Sequence, residues 1–239
     1  MTDSDRQLFE YLQTFLTADR QARFADVLSQ RTRRITVVLE DFYGTHNIGA
    51  VLRTCDAFGI QDVHVIEDEH EFEHVPEIAL GSQKWLTVHR HGAPHPRVRC
   101  ATALREAGYR LLAVTPHADA QPPEEVDVAQ PCALVFGTEK DGLTDEILSL
   151  ADGAVKIPMC GFVESLNVSV AAALCIYPLM RRLHAGPYDW GLTGEERETL
   201  LYDWVRKSLP HVAALEQRFR ESLVAHDPLT SPQRAAAGR

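Results

Sequence analysis

Cysteine is scarce in this chain: five residues, at 55, 100, 132, 160 and 175, an odd number with no close pairs. That is not a disulfide framework. Each lies in apolar sequence, so the expectation is five reduced, packed side chains in a cytoplasmic protein. Long apolar runs are missing as well. The longest, Val168 to Met180, is too short to cross a bilayer, so a soluble protein with no membrane partner is expected. Residues 1–20 carry Asp3, Asp5, Glu10 and Asp19 where a signal peptide needs a basic start and an apolar middle. A basic excess is absent too: 24 Lys and Arg against 34 Asp and Glu leave a net charge of −10. This argues against nucleic-acid binding by bulk electrostatic attraction. No internal repeat is visible.

What is present suffices for one sizeable core: 239 residues, 45% hydrophobic, with chain left over for extensions. Residues 5–30 place Leu8, Leu12, Phe15, Phe24, Val27 and Leu28 at helical spacing, and 1–34 reads as an N-terminal helical arm. From 35 to 185, short apolar runs alternate with helical patterns. Ile35 to Leu39, Val63 to Ile66, Leu111 to Val114, Ala133 to Phe136 and Ala154 to Ile157 are the strand candidates, and 47–58, 97–107, 143–151 and 165–183 the helices. Apolar strands separated by helices predict the α/β class, a parallel sheet covered on both faces. Thr193-Gly194-Glu195-Glu196 has the spacing of a capping box and opens a helix to about Leu209, within a C-terminal helical extension over 186–226. The tail, 227–239, reads as disordered. Charge is uneven. Arg20, Arg23, Arg31, Arg33 and Arg34 crowd the N-terminal region, Arg181 and Arg182 close a helix, and Arg206 and Lys207 sit near another helix end. An acidic block from Glu67 to Glu77 opposes them. A solvated face explains each charge run equally well.

Three segments place polar side chains where packing alone does not ask for them. In the first, Val51, Leu52, Cys55 and Phe58 form a core-facing stripe and Gly59 a stop, leaving Asn47 and Arg53 as a polar pair. Six positions amount to about 600° of turn and about 9 Å of rise, read here as a similar flank of the helix. A plain N-cap at Asn47 and a solvated Arg53 are the alternative. In the second, Gly137-Thr138-Glu139-Lys140-Asp141-Gly142 follows a strand directly. Gly there lets a ligand approach the backbone at the carboxyl end of a parallel sheet, with Glu139 at the rim. An ordinary strand-to-helix turn is the alternative. In the third, a strand ends in Ile157-Pro158-Met159, a short loop follows, and Ser165 and Asn167 open a helix whose Ala171 to Ala173 permit close packing. Capping explains one of those two polar residues but not easily both.

Two apparent motifs fail on context. His70-Glu71-Phe72-Glu73-His74 has the letters of a zinc-protease helix, but Pro76 follows, acids surround it and only Phe72 is apolar, so no metal is expected. The Gly137 to Gly142 spacing imitates a phosphate loop, yet Leu143 and Thr144 stand where Lys and Ser or Thr must bind phosphate and magnesium.

Taken together, the three segments resemble the three motifs of the SpoU family of RNA ribose 2'-O-methyltransferases: Asn47-x5-Arg53, Phe136-Gly137-x-Glu139-x-x-Gly142, and Ile157-Pro158-Met159-x5-Ser165-Leu166-Asn167-Val168-Ser169. The resemblance spans about 35–183, and the flanking helices with Gly81-Ser82-Gln83-Lys84-Trp85 resemble the tRNA guanosine-18 branch. It implies a deep C-terminal trefoil knot, which no periodicity shows and which folds in general avoid. It implies S-adenosylmethionine as methyl donor, with Thr115, Gly137, Ile157, Met159, Leu166, Asn167 and Ser169 in or beside its pocket, and a homodimer packed through the knot helices. It implies that Arg53 acts on the substrate ribose, helped by Asn47, Ser165, Glu139 and Asn167. Arg as the base conflicts with the permanence of the guanidinium charge. Binding of phosphate and of the attacking oxygen by Arg53 is the safer expectation. Lys84, Arg181, Arg182, Arg20 and Arg23 are then the expected tRNA contacts, and a D-loop guanosine of tRNA the expected target. Ribosomal RNA or another tRNA position, and a noncatalytic RNA-binding dimer, stay open beside it, with a metalloprotease a distant third.

Overall fold

Two helices, α1 (Asp3–Gln13) and α2 (Ala18–Ser29), precede β1 (Ile35–Glu40), a strand buried at every position. The computed structural model describes residues 2–42, 45–70, 81–117 and 119–225. Total burial marks β1 as central. It pairs on one side with β2 (Asp62–Ile66) and on the other with β5 (Cys132–Phe136). With β3 (Thr87–His91), β4 (Arg110–Val114) and β6 (Gly153–Val155), these strands form a six-stranded sheet in the order β3-β2-β1-β5-β4-β6, with neighbouring strands parallel throughout. The parallel α/β class expected from the apolar runs is therefore observed.

Helices cover both faces because successive strand residues point opposite ways. Val37, Leu39, Leu134 and Phe136 join one core with α3 (Thr45–Ala57) and α6 (Val168–Ala185), through Val51, Leu52, Cys55, Ala172, Cys175, Ile176 and Leu179. Val38, Ala133 and Val135 join the other with α4 (Pro96–Glu106) and α5 (Asp145–Leu150), through Cys100, Leu104 and Ile147. Gly59 ends α3 with φ +82°, and a Cβ there would stand 2.3 Å from the Gln30 carbonyl oxygen. Only glycine fits.

The chain divides into two compact units, Gln30–Leu192, which holds the sheet, and the segments before and after it. In the second unit α7 (Gly194–Ser208) begins with the expected capping box of Thr193 and Glu196. It and α8 (Val212–Ala225) pack with α1 and α2, Phe24 against Trp204 at 5.7 Å and Tyr11 against Phe219 at 5.3 Å between ring centres. The N-terminal arm and the C-terminal extension thus fold on each other.

Several details differ from the sequence reading. β3 was not among the expected strands, because as a sheet edge its His89 and Arg90 are exposed and its apolar content is low. α8 was not anticipated as a separate helix. β6 stops at Val155, short of Ile157, where Pro158 removes a ladder donor. α6 starts at Val168, with Asn167 as its cap, rather than at residue 165. Cys55, Cys100, Cys132 and Cys175 are buried as expected, but Cys160 is exposed. Of the zinc-like run only His70 falls among the described residues, and the tail 227–239 lies outside them.

Candidate active site

The carboxyl ends of β4 and β5, with the loop before α6, enclose a cleft of about 330 Å³. Its floor is apolar: Val114 and Phe136 are the last residues of β4 and β5, and Ile157, Leu166, Val168 and Ala171 come from the third segment. Its rim is polar, with Thr115, His117, Thr138, Glu139, Lys140, Asp141, Glu164 and Ser165. Ligands of open parallel sheets bind outside the carboxyl ends of the strands, and the last strand residues line the site for that reason. Val114, Leu143, Leu148 and Ala171 were not assigned to the cleft from sequence. Their position at strand ends and helix starts was the available signal.

The loop over the cleft is narrow. Thr138 and Gly142 exchange backbone hydrogen bonds of 3.1 and 3.0 Å. A Cβ on Gly137 would lie 2.1 Å from the Gly142 carbonyl oxygen, so the loop closes only over glycine. Glu139 projects from this loop and joins the three motif segments. Its Oε2 accepts from Asn47 Nδ2 at 2.8 Å and its Oε1 from Asn167 Nδ2 at 2.5 Å. Asn167 Nδ2 also reaches Asn47 Oδ1 at 3.2 Å, while its own Oδ1 accepts from Ser169 N at 3.0 Å. Asn167 therefore caps α6 and binds Glu139 with different atoms of one amide.

Thr115, Gly137, Ile157, Met159 and Leu166 all line the cleft, as does Ser165. Asn167 and Ser169 stand beside it, tied to its rim through Glu139. Asn47 is not the N-cap of α3, which begins at Thr45. The reading of Asn47 and Arg53 on one flank does not hold. About 600° leaves the two side chains roughly 120° apart once full turns are removed. Asn47 meets Glu139, whereas Arg53 is exposed and makes no hydrogen bond or ion pair among the described residues. Its side chain is open to solvent.

The basic residues sort by what they touch. Arg31 is buried, bonded to Asp56 and to the Ile60 carbonyl at 3.1 Å, Arg33 pairs with Asp62 at 2.7 Å, and Arg34 bonds the Ala129 carbonyl. Arg206 and Lys207 pair with Glu216 and Asp203, each at 2.6 Å. Arg182 gives one nitrogen to the Val126 carbonyl at 2.6 Å. Arg20 lies over the Phe24 ring and Lys84 over that of Trp85. Lys84, Arg181, Arg20 and Arg23 are exposed.

Among the described residues two clusters have the composition of metal ligands: Asp41 with Glu69 and His70, and His64 with His91 and Cys100. Hydrogen bonds join Asp41 to His70 in the first and His64 to His91 in the second. Asp41 Oδ1 accepts the backbone N–H groups of Asp68, Glu69 and His70 at 2.9–3.1 Å. His64 and His91 bond each other at 3.0 Å, and burial pushes the Cys100 thiol up to about 12.

A parallel sheet with a ligand cleft at its strand ends, rimmed by three convergent polar motifs, defines an α/β enzyme site. Residues 34–177 match the model of the SpoU rRNA Methylase family. The chain is 42% identical over 193 residues to a tRNA (guanosine(18)-2'-O)-methyltransferase of Thermus thermophilus, covering 80% of this chain and 98% of the relative. The structure is similar to that of the A. aeolicus TrmH/SpoU tRNA modifying enzyme, with a TM-score of 0.71, 30% identity, and 80% of this chain and 98% of that one covered. It is also similar to the SpoU methyltransferase AviRb from Streptomyces viridochromogenes in complex with the cofactor AdoMet, at a TM-score of 0.57 and 28% identity, over 67% of this chain and 62% of that one. The chain belongs to the SpoU methylase family.

Proposed function

We propose that this protein methylates the 2'-hydroxyl of a tRNA ribose, at the D-loop guanosine 18, with S-adenosylmethionine as donor. The observation that carries the reading is Glu139 holding Asn47 and Asn167 together at the cleft rim. This convergence of the three segments matches the family resemblance, and the guanosine-18 enzyme of Thermus thermophilus is a 42% identical relative.

The cleft suits the donor. Its volume, about 330 Å³, is in the range of small-molecule sites, and an apolar floor under a polar rim fits an adenosine with a charged tail. Thr115, Gly137, Ile157, Met159 and Leu166 would hold it, with the backbone of the Gly137–Gly142 loop offering donors and acceptors. When bound, S-adenosylmethionine supplies an electrophilic methyl group on sulfonium sulfur. Arg53 binds a substrate phosphate and the attacking 2'-oxygen, stabilising charge as it develops there. The proton passes to phosphate or water, since a guanidinium does not accept it. Ser165 and Asn47 orient the ribose and its phosphate.

A homodimer is part of this reading. Val170, Leu174 and Tyr177 on α6 are 46%, 47% and 54% exposed at helical spacing, and Phe162 and Val163 stand out beside the cleft. An apolar stripe of this kind supports a protein interface. The trefoil knot, which the family resemblance implies, belongs to the reading as well. Lys84, Arg181, Arg182, Arg20 and Arg23 are assigned to tRNA phosphates, and the buried reduced cysteines support a cytoplasmic location.

The test is transfer of labelled methyl from S-adenosylmethionine to unmodified tRNA transcript, with the site mapped by resistance to alkaline cleavage. Protection at guanosine 18 is expected. Labelling of ribosomal RNA or another tRNA position would move the target within the same chemistry, and no labelling of any RNA would overturn the enzyme reading.

A further inference from the structure

The end of β1 carries two adjacent acids with different tasks. Asp41 gathers the amides of the loop after β2, as described above. Glu40, 1% exposed, reaches the other way. Its Oε2 accepts from Thr144 N at 3.0 Å, and its Oε1 from Thr144 Oγ1 and Arg97 Nε, each at 2.5 Å. Arg97 continues to Asp68 at 2.5 Å. A buried carboxylate is tolerated only when its charge and lone pairs are met in this way.

Thr144 stands at the exit of the loop over the cleft, directly after Gly142 and Leu143, which line it. At its entry the loop is fixed by β5. At its exit the covalent chain runs into Thr144, whose hydroxyl also accepts from Ile147 N at 3.3 Å as the cap of α5. Glu139 and the cleft-lining backbone are thus suspended between β5 and the Glu40–Thr144 contact. We infer that Glu40 is a positioning residue for the cleft: it acts through Thr144 to hold the Gly137–Gly142 loop where it binds the methyl donor. The inference rests on the cleft being the donor site. Carboxylate hydrogen bonds to a loop exit fix geometry to the fraction of an ångström that ligand binding requires.

Thr144 permits a separation of roles. Thr144→Asp retains an N-cap acceptor but turns a carboxylate toward Glu40, breaking the contact. Thr144→Ser keeps both. The experiment measures S-adenosylmethionine affinity by calorimetry, KM and kcat with tRNA transcript, and hydrogen exchange across 138–147, for Glu40→Gln, Thr144→Asp and Thr144→Ser. Glu40→Gln and Thr144→Asp should weaken donor binding and raise its KM about tenfold or more, the worth of one charge-assisted bond, with kcat at saturation within about threefold. Exchange over the loop should rise, and Thr144→Ser should resemble the parent protein. If Glu40→Gln fails to fold, Thr144→Asp carries the same expectation. Folded variants with unchanged affinity and exchange would overturn the inference, as would a loss of kcat at constant KM. Failure of the parent protein to bind the donor would instead overturn the donor-site reading, while exchange still reports whether Glu40 holds the loop.

Discussion

Asn47 and Glu139, 92 residues apart in the chain, meet at 2.8 Å where the first turn of α3 faces the loop after β5. Because Asn167 occupies the second oxygen of the same carboxylate, Glu139 has an amide donor for each oxygen. Glu139→Gln puts an NH₂ against one of those donors. Methyl transfer should fall about tenfold or more, the cost of an unmade hydrogen bond to a charged group. The measurement is kcat/KM with unmodified transcript, and parent-level turnover would remove Glu139 from the site.

Arg53 is exposed, with no partner of its own among the described residues, so its removal leaves the fold intact. Arg53→Ala should retain donor affinity by calorimetry while single-turnover methyl transfer drops on the order of 10²-fold, as for loss of one donor to a developing oxyanion. Lost donor affinity with preserved turnover would reverse the assignment.

At Gly137 a methyl group has nowhere to go, since the Gly142 carbonyl stands 2.1 Å from where it would lie. Gly137→Ala should destabilise the protein by about 1–3 kcal/mol, typical of overpacking, and raise the donor KM. Urea unfolding together with steady-state kinetics checks both. An unchanged unfolding midpoint would show that the loop yields without cost.

Stability should fall in mild acid. Burial, with His89 and His91 beside it, holds His64 down to about 3 from its ordinary 6.5. Below 6.5 the unfolded chain takes up a proton that the folded one refuses, so stability is full above 6.5 and is lost as pH falls toward 3. His91, also lowered from 6.5, acts in the same window, while Asp62, lowered from 3.8, adds a loss only below about pH 4. Between pH 6.5 and 5 the loss from His64 amounts to about 1–2 kcal/mol. Comparing urea midpoints across that range for the parent protein and His64→Val tests this: the variant should have the flatter profile.

An acidic chain that binds tRNA must do so through a few placed cations. If Lys84, Arg181, Arg20 and Arg23 contact phosphates, log affinity should fall with log salt by about 0.7 to 0.9 per contact. Each alanine substitution should then weaken binding uniformly across tRNAs and reduce the slope by about one contact. A flat salt response would exclude the phosphate role.

The sequence by itself determined five of the six strands of the sheet and most of the helices. The fully buried strand β5 is written as an unbroken apolar run and β1 as one interrupted only by Thr36 before its terminal Glu40, and the stripe of Val51, Leu52 and Cys55 gave α3 its inward face. The polar residues of the site were legible for the same reason, since packing did not require them. What the sequence could not express was convergence. The edge strand β3 has no apolar signature because one side of it meets solvent, and the pairing of the terminal helices depends on contacts between residues as distant as Phe24 and Trp204. That Asn167 caps a helix and binds Glu139 at once, that Asn47 turns inward while Arg53 turns out, and that Arg31 is buried against Asp56 were decided only by tertiary structure. Hydrogen bonds between remote segments depend on distances and angles that local periodicity does not encode. The same holds for Glu40, whose reach to Thr144 exists only because parallel pairing sets the end of β1 beside that of β5.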